Sequence, residues 1–223
     1  MLCDIFENFR NVCLNNYELD PCHFFTAPGL AWAACLKMTN VELELLTDID
    51  MLLFMEHGLR GGVSFVNQRF AKANNKYLGD YDDSQPSSYL IYLDANNLYG
   101  WAMCQFLPTH GFHWLDQDEV ESFDVSSVAD DASEGFILEV DLEYPSHLHD
   151  THNDYPLAPE RMKITDSMLS PYAKSVLQDL NLPSTSTEKL VTNLNNKKNY
   201  VIHYRNLKLY LELGMKLTKI HKV

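Results

Sequence analysis

One aspartate, Asp94, lies where a run of β-prone residues ends and a helix-like segment begins. Residues 89–93, with the sequence YLIYL, form a continuous apolar run that stops at this aspartate. A carboxylate at the end of a buried strand is a common position for a metal-binding or nucleophilic aspartate. The structural alternative is that Asp94 caps the helix that begins near Asn97.

A group of histidines offers a second kind of chemistry. His147, His149 and His152 are closely spaced, and imidazoles at such spacing can converge on zinc, which makes a zinc-dependent hydrolase an alternative function. The spacing matches the ligand motif of metallo-β-lactamases only in part, because Thr151 stands where that motif has an aspartate. No Gly-rich strand precedes it. We therefore favour a solvated polar loop as the interpretation.

A glycine turn and a basic segment could contact nucleic acid. Gly61 and Gly62 follow the apolar residues 48–59, and glycines let a backbone approach phosphates closely, although a plain helix C-cap explains them equally well. The basic residues are concentrated near the C-terminus. They are Lys197, Lys198, His203, Arg205, Lys208, Lys216, Lys219, His221 and Lys222. This segment could line a nucleic-acid channel, or it could form a solvated face of an α/β hairpin.

Several blocks of the sequence together resemble the protein-primed branch of the family B DNA polymerases. The blocks are PGLAW, LLTDIDMLLFMEHGLRGG, YLDANNLYGWAM, NDYPLAPERMKI and KKNYVIHYRNLKLYLELGMKLTKIHKV. They run in the same order as in the polymerases of self-synthesising Polinton/Maverick-type transposons. Asp94, followed by Leu98 and Tyr99, resembles the first palm motif of the family. The resemblance covers most of the chain.

The resemblance implies roles for the residues of this palm motif. Asp94 would be the catalytic aspartate that binds the divalent ions, Mg²⁺, of a two-metal phosphoryl transfer. Tyr99 would reject ribonucleotides as a steric gate under the deoxyribose. Gly100 stands where the family usually has proline. The residues implied to bind the incoming deoxynucleoside triphosphate are Ala95, Asn96, Asn97, Leu98 and Tyr99.

The resemblance also implies contacts with template and primer DNA. The glycine turn matches the position of the family's Tyr-x-Gly-Gly linker, with Leu59 replacing the tyrosine. The residues implied to bind DNA are Arg60, Gly61, Gly62, Lys197, Lys198 and Arg205. Residues 105–195 occupy the place of an insertion that docks a terminal priming protein. Asp4 and Glu7 are interpreted as a solvated helix face, because the exonuclease carboxylates of the family would lie upstream.

The predicted elements indicate an α+β fold, which the resemblance divides into helices of an exonuclease–polymerase junction (1–70) and a partial polymerase palm (71–223). Apolar periodicity predicts helices at 1–17 and 26–39, a buried helix at 48–59, and further helices near 171–180 and in RNLKLYLELG. Strands are predicted at 89–93, in GFILEVDLEY and in MKLTKIHKV. In GFILEVDLEY, Glu139, Asp141 and Glu143 should share one face. The polar residues 72–88 suit an exposed connection.

Composition limits the function classes. The chain has 223 residues, of which 46% are hydrophobic, and a net charge of −14, so any nucleic-acid contact must be local. Five cysteines without a Cys-x-x-Cys pair argue against a disulfide framework and a zinc ribbon and favour an intracellular location, which for this family would be nuclear. No signal peptide or membrane span is predicted.

Two further motifs of the family do not occur in these residues. They are the Asp-Thr-Asp motif, which supplies the second carboxylate, and the Lys-x-x-x-Asn-Ser-x-Tyr-Gly helix, which binds triphosphate. We therefore expect an internal fragment that incorporates no nucleotide by itself. The alternative is a non-catalytic, domesticated module that binds DNA or a protein partner.

Overall fold

The computed structural model of the chain describes residues 1–68, 70–183 and 188–223 and has the mixed α+β composition that the sequence predicts. The α-helices are α1 (Leu2–Tyr17), α2 (Ala27–Thr39), α3 (Ile49–Gly58), α4 (Leu98–Met103), α5 (Gln117–Ser122), α6 (His149–His152), α7 (Pro171–Asp179) and α8 (Tyr204–Glu212). The strands are β1 (Ile137–Glu143), β2 (Glu160–Lys163), β3 (Glu188–Val191), β4 (Lys197–His203) and β5 (Lys216–Lys222). Within the described ranges, no helix combines the length and apolar character that a membrane span requires.

The chain divides into two compact units, and the smaller consists of residues 1–46 and 107–112. It contains α1 and α2, as their periodicity predicts, and Thr26 caps α2 by accepting a hydrogen bond from the Gly29 N–H. Arg10 closes the turn after α1 with a bidentate ion pair to Asp20, whose Nη2–Oδ2 distance is 2.6 Å. Cys13 is the buried residue of α1. The rest of the apolar stripe on α1 is therefore accessible in this unit.

The larger unit consists of residues 47–106 and 113–223 and is built on a three-stranded antiparallel sheet in the order β4–β1–β5. Strand β1 alternates buried and half-buried residues along its whole length, as the sequence predicts. Leu138, Val140 and Leu142 form the buried row, and α8 covers them with Leu207. The core of this unit therefore lies between one face of the sheet and α8.

The opposite face of the sheet carries the predicted acidic row of β1, and a lysine row lies beside it. Glu139, Asp141 and Glu143 pair across the strands with Lys222, Lys219 and Lys216. The Asp141 carboxylate also accepts hydrogen bonds from the Asn199 backbone N–H and from His221 Nε2, both at 2.9 Å. These two bonds hold the pKa of Asp141 below its ordinary value, and the bond from the Asn199 backbone N–H has the larger effect.

Two predictions about apolar segments are wrong. Residues 89–93 form no strand, and their side chains are exposed, Tyr92 to 93%. A β-prone run forms a strand only when a second strand pairs with it, and no strand in the described ranges pairs with residues 89–93. Helix α3 forms where residues 48–59 predict a helix, with Asp48 as N-cap, but it buries none of its residues fully.

Asp141→Asn is expected to flatten the acid dependence of the free energy of unfolding. Because the folded-state pKa lies below the ordinary value of 3.8, ionised Asp141 stabilises the fold above that pH, and the contribution is lost as pH falls through the folded pKa. Urea unfolding between pH 5 and pH 2 measures the effect. Asp131→Asn, at an exposed turn, is the matched control. Equal acid profiles for Asp141→Asn and the unmodified chain would contradict this account.

Candidate functional site

Asp94 lies in an exposed, extended segment of the larger unit. It is not part of a strand, its side chain is exposed, and among the described residues no hydrogen bond or ion pair engages its carboxylate. Such a carboxylate can accept hydrogen bonds from a ligand or bind a metal ion. Asp94 is therefore chemically available, without an internal structural role in the described part of the chain.

Asn97, rather than Asp94, caps the helix that follows. Its backbone is left-handed, with φ 51°, and its side-chain oxygen accepts a hydrogen bond from the Gly100 N–H at 3.2 Å. A Cβ at position 100 would collide with the Asn97 side-chain amide. Glycine therefore fits this position closely, and the capping alternative for Asp94 is wrong.

The other predicted nucleotide-binding residues surround this turn. Ala95, Asn96 and Leu98 are exposed, and the side chain of Tyr99 in the first turn of α4 is 87% exposed. The segment thus presents a carboxylate and a phenol to solvent within one short stretch of chain. Their closeness follows from their positions in the sequence, because the described residues make no tertiary contact that joins the two groups.

Magnesium would require more carboxylates than this segment supplies. Among the described residues, no group of three or more His, Cys, Asp or Glu side chains could hold a metal ion. Asp94 alone does not provide the ligands of a two-metal centre. The predicted Mg²⁺ site therefore does not fit the described residues by themselves.

Arg60 in the glycine turn contacts the sheet. Its guanidinium carbon lies 3.8 Å from the centroid of the Tyr200 ring, and Nη1 donates to the Val201 carbonyl at 2.6 Å. A cation on an aromatic face contributes about 2 kcal/mol when it is shielded from water. Burial lowers the pKa of Arg60 without making the guanidinium neutral. This geometry leaves Arg60 less accessible to a phosphate than the sequence predicts.

Gly61 and Gly62 lie beyond the cap of α3. The cap is Leu59, whose N–H donates to the Glu56 carbonyl, so the glycine pair does not terminate the helix. Both glycines are exposed, and a Cβ would have no heavy atom within 4 Å at either position. Only Gly62, with φ 82°, needs the conformational freedom of glycine. Their backbone is thus open to an approaching ligand.

The predicted basic residues have different environments. Lys197 is 1% exposed, and its ammonium is bound by Glu160 Oε1 at 2.9 Å and by Asn193 Oδ1 at 2.5 Å. Burial lowers the pKa of Lys197, while Glu160 opposes that shift. Lys198 is exposed on β4, and Arg205 is half-exposed in the first turn of α8. Lys197 is therefore an internal charge, and the other two remain accessible.

The histidine group surrounds Tyr144. The Tyr144 hydroxyl oxygen lies 2.9 Å from His152 Nδ1 and accepts a hydrogen bond from the Leu157 N–H at 3.2 Å. His149 Nε2 lies 3.3 Å from the Tyr144 carbonyl oxygen, and both imidazoles pack edge-on against the phenol ring. His147 is exposed. Two of the three imidazoles thus bind a tyrosine, and the three do not converge on a metal.

No family model, curated protein or solved structure matches this chain. The polymerase resemblance therefore depends on the sequence blocks themselves. Its consequences for this chain stay predictions.

The sequence did not indicate Tyr144 and Tyr200 as central residues. Tyr144 follows the alternating strand β1 and precedes a proline, and Tyr200 lies inside a β-prone run, so their spacing is typical of ordinary core tyrosines. A buried phenol needs a hydrogen-bond partner, and this rule is the signal that could have directed attention to nearby polar residues. Burial raises the pKa of both tyrosines, so both hydroxyls remain protonated donors.

Asn97→Ala is expected to loosen α4. The change removes the cap, which contributes about 1 kcal/mol, and leaves alanine at φ 51°, a left-handed backbone that asparagine tolerates better. Hydrogen exchange of the Trp101 and Cys104 amides, which donate to the Asn97 and Gly100 carbonyls, measures the loss. Asn97→Gly, which also removes the cap but tolerates the left-handed backbone, is the control and should have a smaller effect. Equal exchange rates in all three proteins would show that the cap does not hold the helix.

Tyr144→Phe is expected to lower the free energy of unfolding by about 1–3 kcal/mol, because it leaves the Leu157 N–H and His152 without their partner. Urea unfolding at neutral pH measures the loss. Tyr155→Phe is the matched control, since Tyr155 is 74% exposed. If both variants unfold at the same urea concentration, the hydroxyl of Tyr144 does not organise this loop.

Proposed function

We propose that this chain forms part of a DNA-directed DNA polymerase of family B, of the protein-primed type, and contributes to its palm. The observation that carries the proposal is the segment around Asp94. There, the aspartate that matches the catalytic position of the family has an exposed carboxylate with no internal partner among the described residues, directly before a capped helical turn. A carboxylate that no cap or ion pair engages has its oxygens free to bind a metal ion.

The sheet supports the proposal in outline. A polymerase palm is an antiparallel sheet with helices on one face, and the larger unit has such a sheet, β4–β1–β5, with α8 on one side. The exposed residues 89–93 would then be a palm strand that pairs only in the complete site. This interpretation gives the five consecutive apolar side chains a use that they lack in the described contacts.

In the proposed polymerase, Asp94 would bind Mg²⁺ together with carboxylates from outside the described residues. Magnesium would supply the electrostatic stabilisation of phosphoryl transfer. Ala95, Asn96, Asn97 and Leu98 would border the deoxynucleoside triphosphate. The exposed ring of Tyr99 would exclude a 2′-hydroxyl. The rigid turn made by Asn97 and Gly100 would fix the distance between the carboxylate and this ring.

Template and primer DNA would contact the accessible members of the predicted set. These are Gly61 and Gly62, through their open backbone, and Lys198 and Arg205, through their side chains. Lys197 is excluded from this proposed set because Glu160 and Asn193 occupy its ammonium. A terminal priming protein at residues 105–195 and a nuclear location complete the proposal, and both depend on the resemblance alone.

The 223-residue chain is expected to incorporate no nucleotide in a primer-extension assay with Mg²⁺. In a longer product of the same reading frame that also carries the Asp-Thr-Asp motif, Asp94→Asn should reduce incorporation by about a hundredfold or more, because a metal clamp contributes several kcal/mol. Primer–template affinity should be unchanged. Asp131→Asn serves as control.

Full-length transcript sequencing identifies that longer product. The expected inactivity would be contradicted if the 223-residue chain extends a primer and Asp94→Asn abolishes that extension. A longer product whose activity does not depend on Asp94 would remove the proposed role. Transcripts with stop codons on both sides would instead favour a non-catalytic binding module. Stoichiometric, tightly bound zinc in the purified protein would restore the hydrolase alternative.

A further inference from the structure

The segment after the glycine turn is attached at both of its ends. At the first end, Arg60 binds Tyr200 and Val201 of β4. At the second end, Asn67 Nδ2 donates to the Asp154 carbonyl at 3.2 Å, and Gln68 Nε2 lies 3.3 Å from Asp154 Oδ2. Between these ends, residues 61–66 are exposed and form no backbone–backbone hydrogen bond within the described ranges.

The first attachment is made to a fixed part of the fold. Tyr200 is 5% exposed, pairs with Val140 in the sheet, and donates its hydroxyl to the Pro159 carbonyl at 3.0 Å. The ring therefore has little freedom to move. Arg60 covers one face of this ring and bonds a carbonyl of β4, which is an edge strand of the sheet. The guanidinium connects the glycine turn to the most rigid element nearby.

These contacts occupy one amino group and one face of the Arg60 guanidinium. Nη1 donates to the Val201 carbonyl, with a longer contact of 3.4 Å to the Gly58 carbonyl, and the ring of Tyr200 occupies one face of the guanidinium plane. An arginine that binds phosphate in a bidentate way presents two parallel N–H groups to the ligand. While these contacts persist, Arg60 can offer a phosphate only its Nε–Nη2 edge.

We infer that Arg60 is a positioning residue, which seats the glycine turn on Tyr200 and Val201 and makes no direct contact with DNA. DNA as the ligand rests on the proposed polymerase function, whereas the attachment of the glycine turn through Arg60 rests on the observed contacts alone. Gly61 and Gly62 follow Arg60 directly, so the position of the guanidinium determines where their open backbone can meet a DNA strand. Lysine cannot replace arginine in this role, because an ammonium lacks the plane that stacks on the ring.

The first test is the salt dependence of DNA binding by the 223-residue chain. Fluorescence anisotropy with a labelled primer–template duplex between 50 and 200 mM KCl gives the slope of log affinity against log salt. Each lost phosphate contact reduces the magnitude of the slope by about 0.9. Lys198→Gln, a loss of an exposed charge on the same strand, should show this reduction.

Arg60→Gln and Arg60→Lys should both weaken binding about tenfold at every salt concentration, with the slope of the unmodified chain retained. A reduction of the slope by about 0.9 in Arg60→Gln, together with normal affinity and slope in Arg60→Lys, overturns the inference, because a plain phosphate contact behaves in that way.

The second test needs no DNA. Backbone ¹⁵N relaxation of Gly61 and Gly62 should give order parameters of about 0.8 in the unmodified chain and in Lys198→Gln, and values below about 0.6 in Arg60→Gln. Unchanged order parameters in Arg60→Gln overturn the attachment. If the unmodified chain binds no DNA, the proposed function fails, and the relaxation measurement still decides whether Arg60 holds the turn.

Discussion

Burial of one face of β1 is the constraint on which the described fold of the larger unit depends. Leu138, Val140 and Leu142 are almost completely shielded from water. A strand reaches this state only if both of its edges are paired and a second layer covers its apolar row. Strands β4 and β5 provide the pairing, and α8, which connects them, provides the layer. Tyr200, Lys197 and Tyr144 all lie on or next to this sheet, so the contacts of the glycine turn, of the β2–β3 pair and of the histidine group are attachments to one rigid element.

The segment around Asp94 differs from the sheet in almost every respect. Its apolar residues 89–93 are exposed and unpaired, and its order comes from local interactions, chiefly the cap that Asn97 makes on Gly100. Binding energy in an active site is most useful when the reacting groups are held by a rigid surround. The described residues supply the helical turn of that surround and not the strand pairing. The proposed chemistry therefore requires the apolar segment to gain a partner strand, along with further carboxylates.

The sequence predicted those elements whose pattern is complete within a short window. The periodicity of α1, α2, α7 and α8, and the alternation of β1, are signals of this kind, and the cap at Thr26 sharpens the start of α2. The prediction of a strand at residues 89–93 was wrong because β-propensity reflects packing against neighbouring strands, and the local sequence does not reveal which strands will be neighbours. The environments of Arg60 and Lys197 could not be predicted, since each depends on residues far away in the chain: Arg60 and the Val201 carbonyl are 141 positions apart. Asp94 was found by motif, and its exposure was not foreseen.

The buried ammonium of Lys197 restricts how the chain can change in evolution. Its compensating groups, Glu160 and Asn193, belong to residues 105–195, the region that the polymerase resemblance identifies as an insertion. Surface insertions usually drift in length and composition because nothing in the core needs them. Here a charge inside the core would lose its counterion if that region were shortened past Glu160, and an uncompensated charge in such a place costs several kcal/mol. Lineages that lose the insertion should therefore also replace Lys197 with an apolar residue, so the two positions are expected to covary.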